Sequence, residues 1–375
     1  MEENKKNKIP NVPNKRKLKE LVSFGLGLTY TPRYLANGIP FISSKNISND
    51  YLDLSDINFI SLDEFNGCSK SAKPKYGDIL FTRVGSNLGH PVVYESTNDI
   101  CIFVSLGFLR CKDLINNYYL KHWMNSPNFW QQVRKKVGGS SKFNLNTGWL
   151  QEFDVPYRDF EEQQKIAFFL NKIDERIRTQ NKIIEEIKNQ IKYIEEAYFS
   201  GLSCEWTKLS DLVKSGAIKL FRGNIIPKHE RDSNYKYPVY SSSVNNMGLM
   251  GFYNSYMFDE ELITWSIDGG GNFFYREKHK FNVTNVCGYI RTTKYDYRFL
   301  TECLIWQHRK QKFDYQSKAH PSVIASIYKV PNIDINKQKQ FSYLIEKIYK
   351  KLDTEEMVLN LYNEQKKYLL DNLFI

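Results

Sequence analysis

Residues 155–199 read VPYRDFEEQQKIAFFLNKIDERIRTQNKIIEEIKNQIKYIEEAYF, and residues 330–374 read VPNIDINKQKQFSYLIEKIYKKLDTEEMVLNLYNEQKKYLLDNLF. The two stretches align without a gap at an offset of 175 residues. Asp159/Asp334, Gln163/Gln338, Lys172/Lys347, Ile173/Ile348, Gln190/Gln365, Tyr193/Tyr368 and Phe199/Phe374 are identical pairs. A fixed-offset match of this length marks an internal repeat. Ile166, Leu170, Ile173, Ile177, Gln180, Ile184, Ile187, Ile191, Ile194 and Tyr198 alternate steps of four and three. The same phase in the second copy selects Phe341, Ile345, Ile348, Leu352, Glu355, Leu359, Tyr362, Lys366, Leu369 and Leu373. A period of 3.5 held over about five heptads predicts a coiled-coil seam. Neither run contains Gly or Pro, and Gln180 and Glu355 place a polar side chain at one matching seam position. At ~1.5 Å per residue, helices of about 35–40 residues reach roughly 50–60 Å. Two in one chain can pack antiparallel as an intramolecular rod.

The blocks that precede these helices echo one another more faintly. KLKELV at 17–22 resembles KLSDLV at 208–213, and IPFISS at 39–44 resembles YPVYSS at 237–242. ILFT at 79–82 and LITW at 262–265 each run into a glycine turn, while GFLR at 107–110 matches GYIR at 288–291. Short β-branched and apolar runs bounded by Gly, Asn, Asp and Ser predict strands joined by turns. Residues 116–136 and 295–313 read as helices. The expected architecture is α+β: a mixed α/β domain over 1–154, a long helix over 155–202, a second such domain over 203–329 and a second helix over 330–375.

The chain has 375 residues and a net charge of +11, and 41% of it is hydrophobic. That length suffices for two cored domains, and that composition for a globular chain. The charge is unevenly placed: +6 over 1–160, −1 over 161–200, +5 over 201–335 and +1 over 336–375. Two separate basic blocks suit a polyanion touched at two places. The first seventeen residues are polar and charged, and no segment approaches the ~18 apolar residues of a spanning helix. Six cysteines without CxxC spacing are expected to be reduced thiols in a cytoplasmic protein. No Cys or His pair has zinc-ligand spacing.

The domain–helix–domain–helix order, the segment PYRDFEEQQKI at 156–166 and the phrases FISSKNIS at 41–48 and YGDILFTRVGSNLG at 76–89 resemble type I restriction-modification specificity subunits. The resemblance covers essentially the whole chain, although Lys337-Gln338 stands in the second copy where the first has Glu162-Gln163. It implies that each domain reads one half of a bipartite, asymmetric DNA site, with the helices setting the spacing. It also implies two modification subunits that methylate adenine with S-adenosylmethionine, and restriction subunits that use ATP and magnesium to translocate and cleave DNA. Glu162, Gln163, Gln164 and Ile166 are the implied contacts to the modification subunits.

In this chain itself no methyltransferase motif, Walker cradle or catalytic histidine arrangement occurs, so no catalytic, cofactor-binding or metal residue is expected. DNA contacts are sought among polar residues on glycine-rich turns, because base edges are read by Arg, Lys, Asn, Gln, Ser and Thr carried on loops. In the first domain these are Ser44, Lys45, Asn46, Arg83, Ser86, Asn87, Ser140, Ser141, Lys142 and Asn144. In the second they are Arg222, Asn224, Ser242, Ser243, Asn245, Asp268, Asn272, Lys318, His320 and Ser322. Trp265 and Tyr275 are either base-stacking or core aromatics. The competing reading is a coiled-coil scaffold with two protein-binding heads. It accounts for the helices and leaves the placement of charge unexplained.

Overall fold

A computed structural model describes residues 14–48, 51–84, 88–137, 144–227, 234–311 and 318–375. The chain forms two compact units, one of residues 1–181 with 357–375 and one of residues 182–356. These do not end where the composition changes. Both long helices, Phe160–Ser200 and Ile335–Leu373, are divided between units, so each unit owns a stretch of each.

In the first unit, strands Val22–Leu26, Leu106–Cys111, Ile79–Thr82 and Gly89–Val93 make an antiparallel sheet in that order. A smaller sheet joins Asn58–Ile60, Ile39–Ile42 and Cys101–Ile102, the last pair parallel. Helices Asn117–Met124 and Pro127–Val137 cover the larger sheet and bury Tyr119, Trp123 and Phe129. The first long helix enters the same core through the stripe residues Ile166 and Leu170, whereas the second enters it mainly through Leu370 and Phe374, each one position beyond its predicted stripe residues Leu369 and Leu373. Phe374 lies 5.0 Å from the Tyr119 ring.

The second unit carries a six-stranded sheet in the order Ile218–Arg222, Cys287–Thr292, Phe258–Ser266, Phe273–Val283, Tyr237–Tyr240, Leu249–Tyr253. Helices Tyr297–His308 and Pro321–Ile327 pack on it. Here the two long helices meet the head in an aromatic cluster: Phe199 stands 5.6 Å from Phe299 and 5.2 Å from Phe341. None of the twenty seam positions predicted from the heptads is exposed.

The repeat survives in packing details that the sequence barely shows. Gly107 faces Phe81 across one sheet, as Gly288 faces Trp265 across the other. A Cβ at either glycine would enter the aromatic ring opposite, at 2.8 and 2.2 Å. Gly27 and Gly223 let the following residues, Leu28 and Asn224, bridge in parallel to Phe103 and Thr284. A Cβ at these two positions would stand 2.0 and 2.1 Å from the carbonyl oxygens of Phe103 and Val283. Backbone contact of this closeness admits only glycine. Gly27→Ala and Gly223→Ala are each expected to destabilise their own unit by more than about 3 kcal/mol, whereas Gly67→Ala, with open space around it, is expected to be neutral. Denaturant unfolding of the full chain, read by unit-specific proteolysis, checks this.

One buried charge group braces the helices of the first unit. Lys121 and Lys366 flank Asp174 at 2.6 and 2.8 Å. Burial pushes the Asp174 carboxyl up, yet the two ammoniums outweigh it and hold it well below the usual carboxylate range. His122, wholly buried and bonded to Asn171 at 2.8 Å, is pushed down to about 3 by burial first and by Lys121 second. Its imidazole therefore stays neutral in the folded chain at pH values where the unfolded chain takes up a proton. A depressed folded value means stability that is full above about pH 6.5 and falls as the pH drops toward 3. His122→Gln is expected to flatten the loss of thermal stability between pH 7 and 4.5 by up to roughly 1.4 kcal/mol per pH unit. Parallel pH dependences in wild type and variant would show that His122 is not the titrating group.

Candidate nucleic-acid interface

In the second unit, the polar residues picked from separate loops converge on one end of the six-stranded sheet. The Ser242 hydroxyl donates to the Val286 carbonyl and accepts from the Asp268 N–H at 3.3 Å. Lys318 pairs with Asp268 at 3.5 Å. Arg222 donates from Nε and Nη2 to the Asn285 carbonyl at 3.0 and 2.8 Å, and Asn224 bridges to Thr284. Asn272 closes its own turn on the Gly269 carbonyl at 2.9 Å, and Ser243 does so on the Asn245 carbonyl at 3.3 Å. The loops touch backbone to backbone, since a Cβ on Gly269 would lie 2.0 Å from the Ser242 carbonyl oxygen. His320 precedes Pro321 at the start of the next helix, and Ser322 is exposed on its first turn. Arg222, Asn224, Asn245, Asp268, Lys318 and Ser322 keep exposed side chains.

The first unit builds the corresponding rim. The Ser44 N–H donates to Ser105 Oγ at 3.0 Å, and the Arg83 N–H to the Ser105 carbonyl at 2.8 Å. Val84 bridges to Asn144 as the strand end meets the segment before the next short helix. Leu145 donates to the Arg83 carbonyl as Ala319 donates to the Ile267 carbonyl in the other unit, so Asn144 and Lys318 occupy matching places. Lys45 is exposed and paired with Asp56 at 3.0 Å. Ser86, Asn87, Ser140, Ser141 and Lys142 lie outside the described residues.

Several predicted contacts turn out to be internal. Asn46 is buried: its carbonyl accepts from the Ser43 N–H and its amide donates to the carbonyls of Asp53 and Asp56. Arg83 is buried and clamps the strand end, donating to Leu145 and Val104 carbonyls at 3.2 Å each. Trp265 is a core residue whose indole N–H reaches the Ala319 carbonyl at 2.8 Å, and the Tyr275 hydroxyl is bonded to Glu261. Asn46, Arg83 and Trp265 support the rim from within, and Tyr275 lies away from it, held by Glu261 and by the Arg298 guanidinium 3.8 Å from its ring centre. A buried polar group must find its partners inside the protein.

The helix entrance needs the same correction. Gln163 is wholly buried, accepting from the Asn116 N–H at 2.8 Å and donating to the carbonyls of Arg158 and Leu114 at 2.9 and 3.3 Å. Ile166 belongs to the core, and Glu162 pairs with Arg158. Of the four implied partner contacts, Gln164 alone is fully exposed.

Exposed apolar residues nearby had not been singled out: Phe168 at 65% and Phe169 at 47%, matched at the 175-residue offset by Tyr343 at 64% and Leu344 at 51%. Lys172 and Lys347 lie over Phe168 and Tyr343, 5.9 and 4.3 Å from the ring centres. Their signal was present in the sequence as apolar pairs off the heptad seam, repeated in both copies. A second group had no such signal. Asn246 and Met247 both adopt left-handed backbone, with φ of 49° and 50°. Each costs about 1–2 kcal/mol in a residue with a Cβ.

Among the described residues, no cluster of His, Cys, Asp and Glu could hold a metal ion, and no helix is long and apolar enough to cross a membrane.

Comparison with known proteins agrees with this geometry. The model of the type I restriction modification DNA specificity domain matches residues 13–189 and again 204–362. A putative type I specificity subunit of Mycoplasma pneumoniae is 32% identical over 114 residues, which is 29% of this chain and 36% of the relative. The MjaIX type I restriction enzyme specificity subunit of Methanocaldococcus jannaschii is 29% identical over 186 residues, 46% of this chain and 40% of the relative. The matched stretches thus span well under half the length of these relatives. Among solved structures, the type I restriction-modification S subunit of M. genitalium shares the fold with a TM-score of 0.65 at 17% identity, over 98% of both chains. A chain from a structure describing complex assembly and conformational transition of the type I restriction-modification system gives a TM-score of 0.56 at 12% identity, over 97% of both. Two matches to one domain model, covering most of the sequence, place the chain in the type I restriction-modification DNA specificity family.

Proposed function

We propose that this chain is the non-catalytic, sequence-reading subunit of a type I restriction-modification complex, each unit reading one half of a bipartite site in duplex DNA. The observation that carries the proposal is the repeated rim: matching loops close on equivalent strand ends in the two units, exposing Lys45 and Asn144 in the first and Arg222, Asn224, Asp268 and Lys318 in the second. Loops held by a scaffold are where recognition concentrates, and hydroxyls, amides and cations are the groups that read base edges and hold phosphates. The two basic blocks supply the charge such binding needs. Methyl transfer would then belong to modification subunits carrying S-adenosylmethionine, and cleavage to restriction subunits using ATP and magnesium.

Lys318→Glu is expected to weaken binding and to lower the salt dependence of duplex binding by about one counterion. Methylation should change at the half-site read by the second unit alone. Salt-titrated binding of the assembled complex, with long-read mapping of methylated host DNA, measures both. A wild-type complex that ignores duplex DNA, or a variant that alters both halves equally, would contradict the proposal.

Two modification subunits need two equivalent surfaces, and the repeated exposed pairs provide them. Phe168→Ser with Phe169→Ser, or Tyr343→Ser with Leu344→Ser, is expected to leave folding intact and to cut retained modification subunits from two per chain to one. Native mass spectrometry of the assembled complex gives the count, and two subunits in both variants would place the docking surface elsewhere.

A further inference from the structure

We infer that Met247 is an apolar wedge that enters a base step within the half-site read by the second unit, and that Arg276 is the residue positioning it. The inference rests on the proposed DNA-reading function and adds a mode of recognition to it.

Three consecutive residues at the tip, Asn246, Met247 and Gly248, have positive φ of 49°, 50° and 84°. Two of them carry a Cβ, so the conformation persists only where its surroundings impose it. The imposing group is Arg276. Arg276 is 3% exposed, and its guanidinium stacks 3.6 Å from the Tyr240 ring centre and donates to Thr264 Oγ1 at 2.9 Å and to the Met247 carbonyl at 2.6 Å. A second tie, from the Ser241 N–H to the Gly248 carbonyl at 2.8 Å, closes the turn. This buried hardware does not fold the Met247 side chain into the core. It leaves that side chain 57% exposed, flanked by Val244 at 51% and Met250 at 47%.

An exposed apolar tip among polar reading groups is an unusual use of surface. Ser242, Ser243 and Asn245 precede it within five residues of the chain, and Asp268 donates its N–H to Ser242. Groove-binding proteins insert apolar side chains between stacked bases, partly unstacking them and kinking the duplex. Methionine suits this: it is unbranched, and its polarizable sulfur contacts aromatic faces well. Pyrimidine–purine steps unstack most readily, so a wedge selects such a step without a hydrogen bond to any base. The second unit's half-site is therefore expected to contain a flexible step opposite Met247.

The test uses the full chain assembled with its modification subunits and a duplex carrying the mapped site. 2-Aminopurine replaces the base at each step of the second half in turn. Wild type is expected to raise the fluorescence at one step. Met247→Gly is expected to abolish that rise and weaken specific binding roughly tenfold. Its thermal midpoint should be unchanged or higher, because glycine accepts the left-handed backbone without penalty. Asn246→Gly relieves the same backbone and keeps the wedge, so its signal should remain. Arg276→Lys, which keeps the charge and loses the planar fork, should reduce the signal while salt dependence stays unchanged. If wild type binds duplex with the expected salt dependence but unstacks no step, or if Met247→Gly behaves as wild type, the wedge is refuted and the reading function stands. Loss of modification subunits from Met247→Gly at unchanged DNA affinity would refute it too, marking the tip as a protein contact. A wild-type complex with no salt-dependent duplex binding would remove the reading function itself.

Discussion

Each unit depends on one buried carboxamide at the start of a long helix. Gln163 accepts from the N–H of Asn116, the cap of the head helix, and Gln338 accepts from the N–H of Asp296, which caps the equivalent helix. Both amides also donate backward to the chain entering the helix, at Arg158 and Ile333. Asn116 and Asp296 in turn accept from the helix N–H groups of Tyr119 and Phe299. One small network thereby satisfies an orphan donor of the head helix and ties that helix to the start of the long one. A fully paired buried amide contributes modestly, but leaving it unpaired costs about 1–3 kcal/mol. The direction of each helix relative to its own head is set by this constraint.

Around that joint the apolar contacts divide the work. In the first unit, Phe374 closes on Tyr119 while the Asp174 charge group braces both helices. In the second, Tyr198, Phe199, Phe299 and Phe341 form one aromatic cluster, and Arg309 pairs with the wholly buried Glu195. The same topological joint is thus filled by different chemistry. Rigidity here gives the loops at the sheet end fixed positions, and polar side chains on fixed loops give selective contacts.

Sequence patterns revealed the helices because their cause is local. A side chain every 3.5 residues falls on one stripe whatever the partner, so Ile166 through Tyr198 could be assigned to a seam from spacing alone. The faint strand echoes were also sound guides: the predicted runs at 79–82 and 262–265 are both central strands. Loop polarity misled in places. Ser242, Asp268 and Lys318 do share a rim, while Asn46 and Arg83, chosen by the same criterion, sit below it with their donors engaged. Residue type states what a group can bond, not whether the fold has already supplied its partner.

From sequence alone came the duplication, the long helices, the two basic blocks and the loops from which contacts are drawn. All follow from composition, period and turn chemistry, which act over a few residues. The tertiary structure alone decided that Gln163 is a clamp, that Asn46 and Arg83 are buried, and that Arg276 holds Met247 outward. Those outcomes depend on segments far apart in the chain meeting in space, and no local pattern records which polar groups such a meeting will bury.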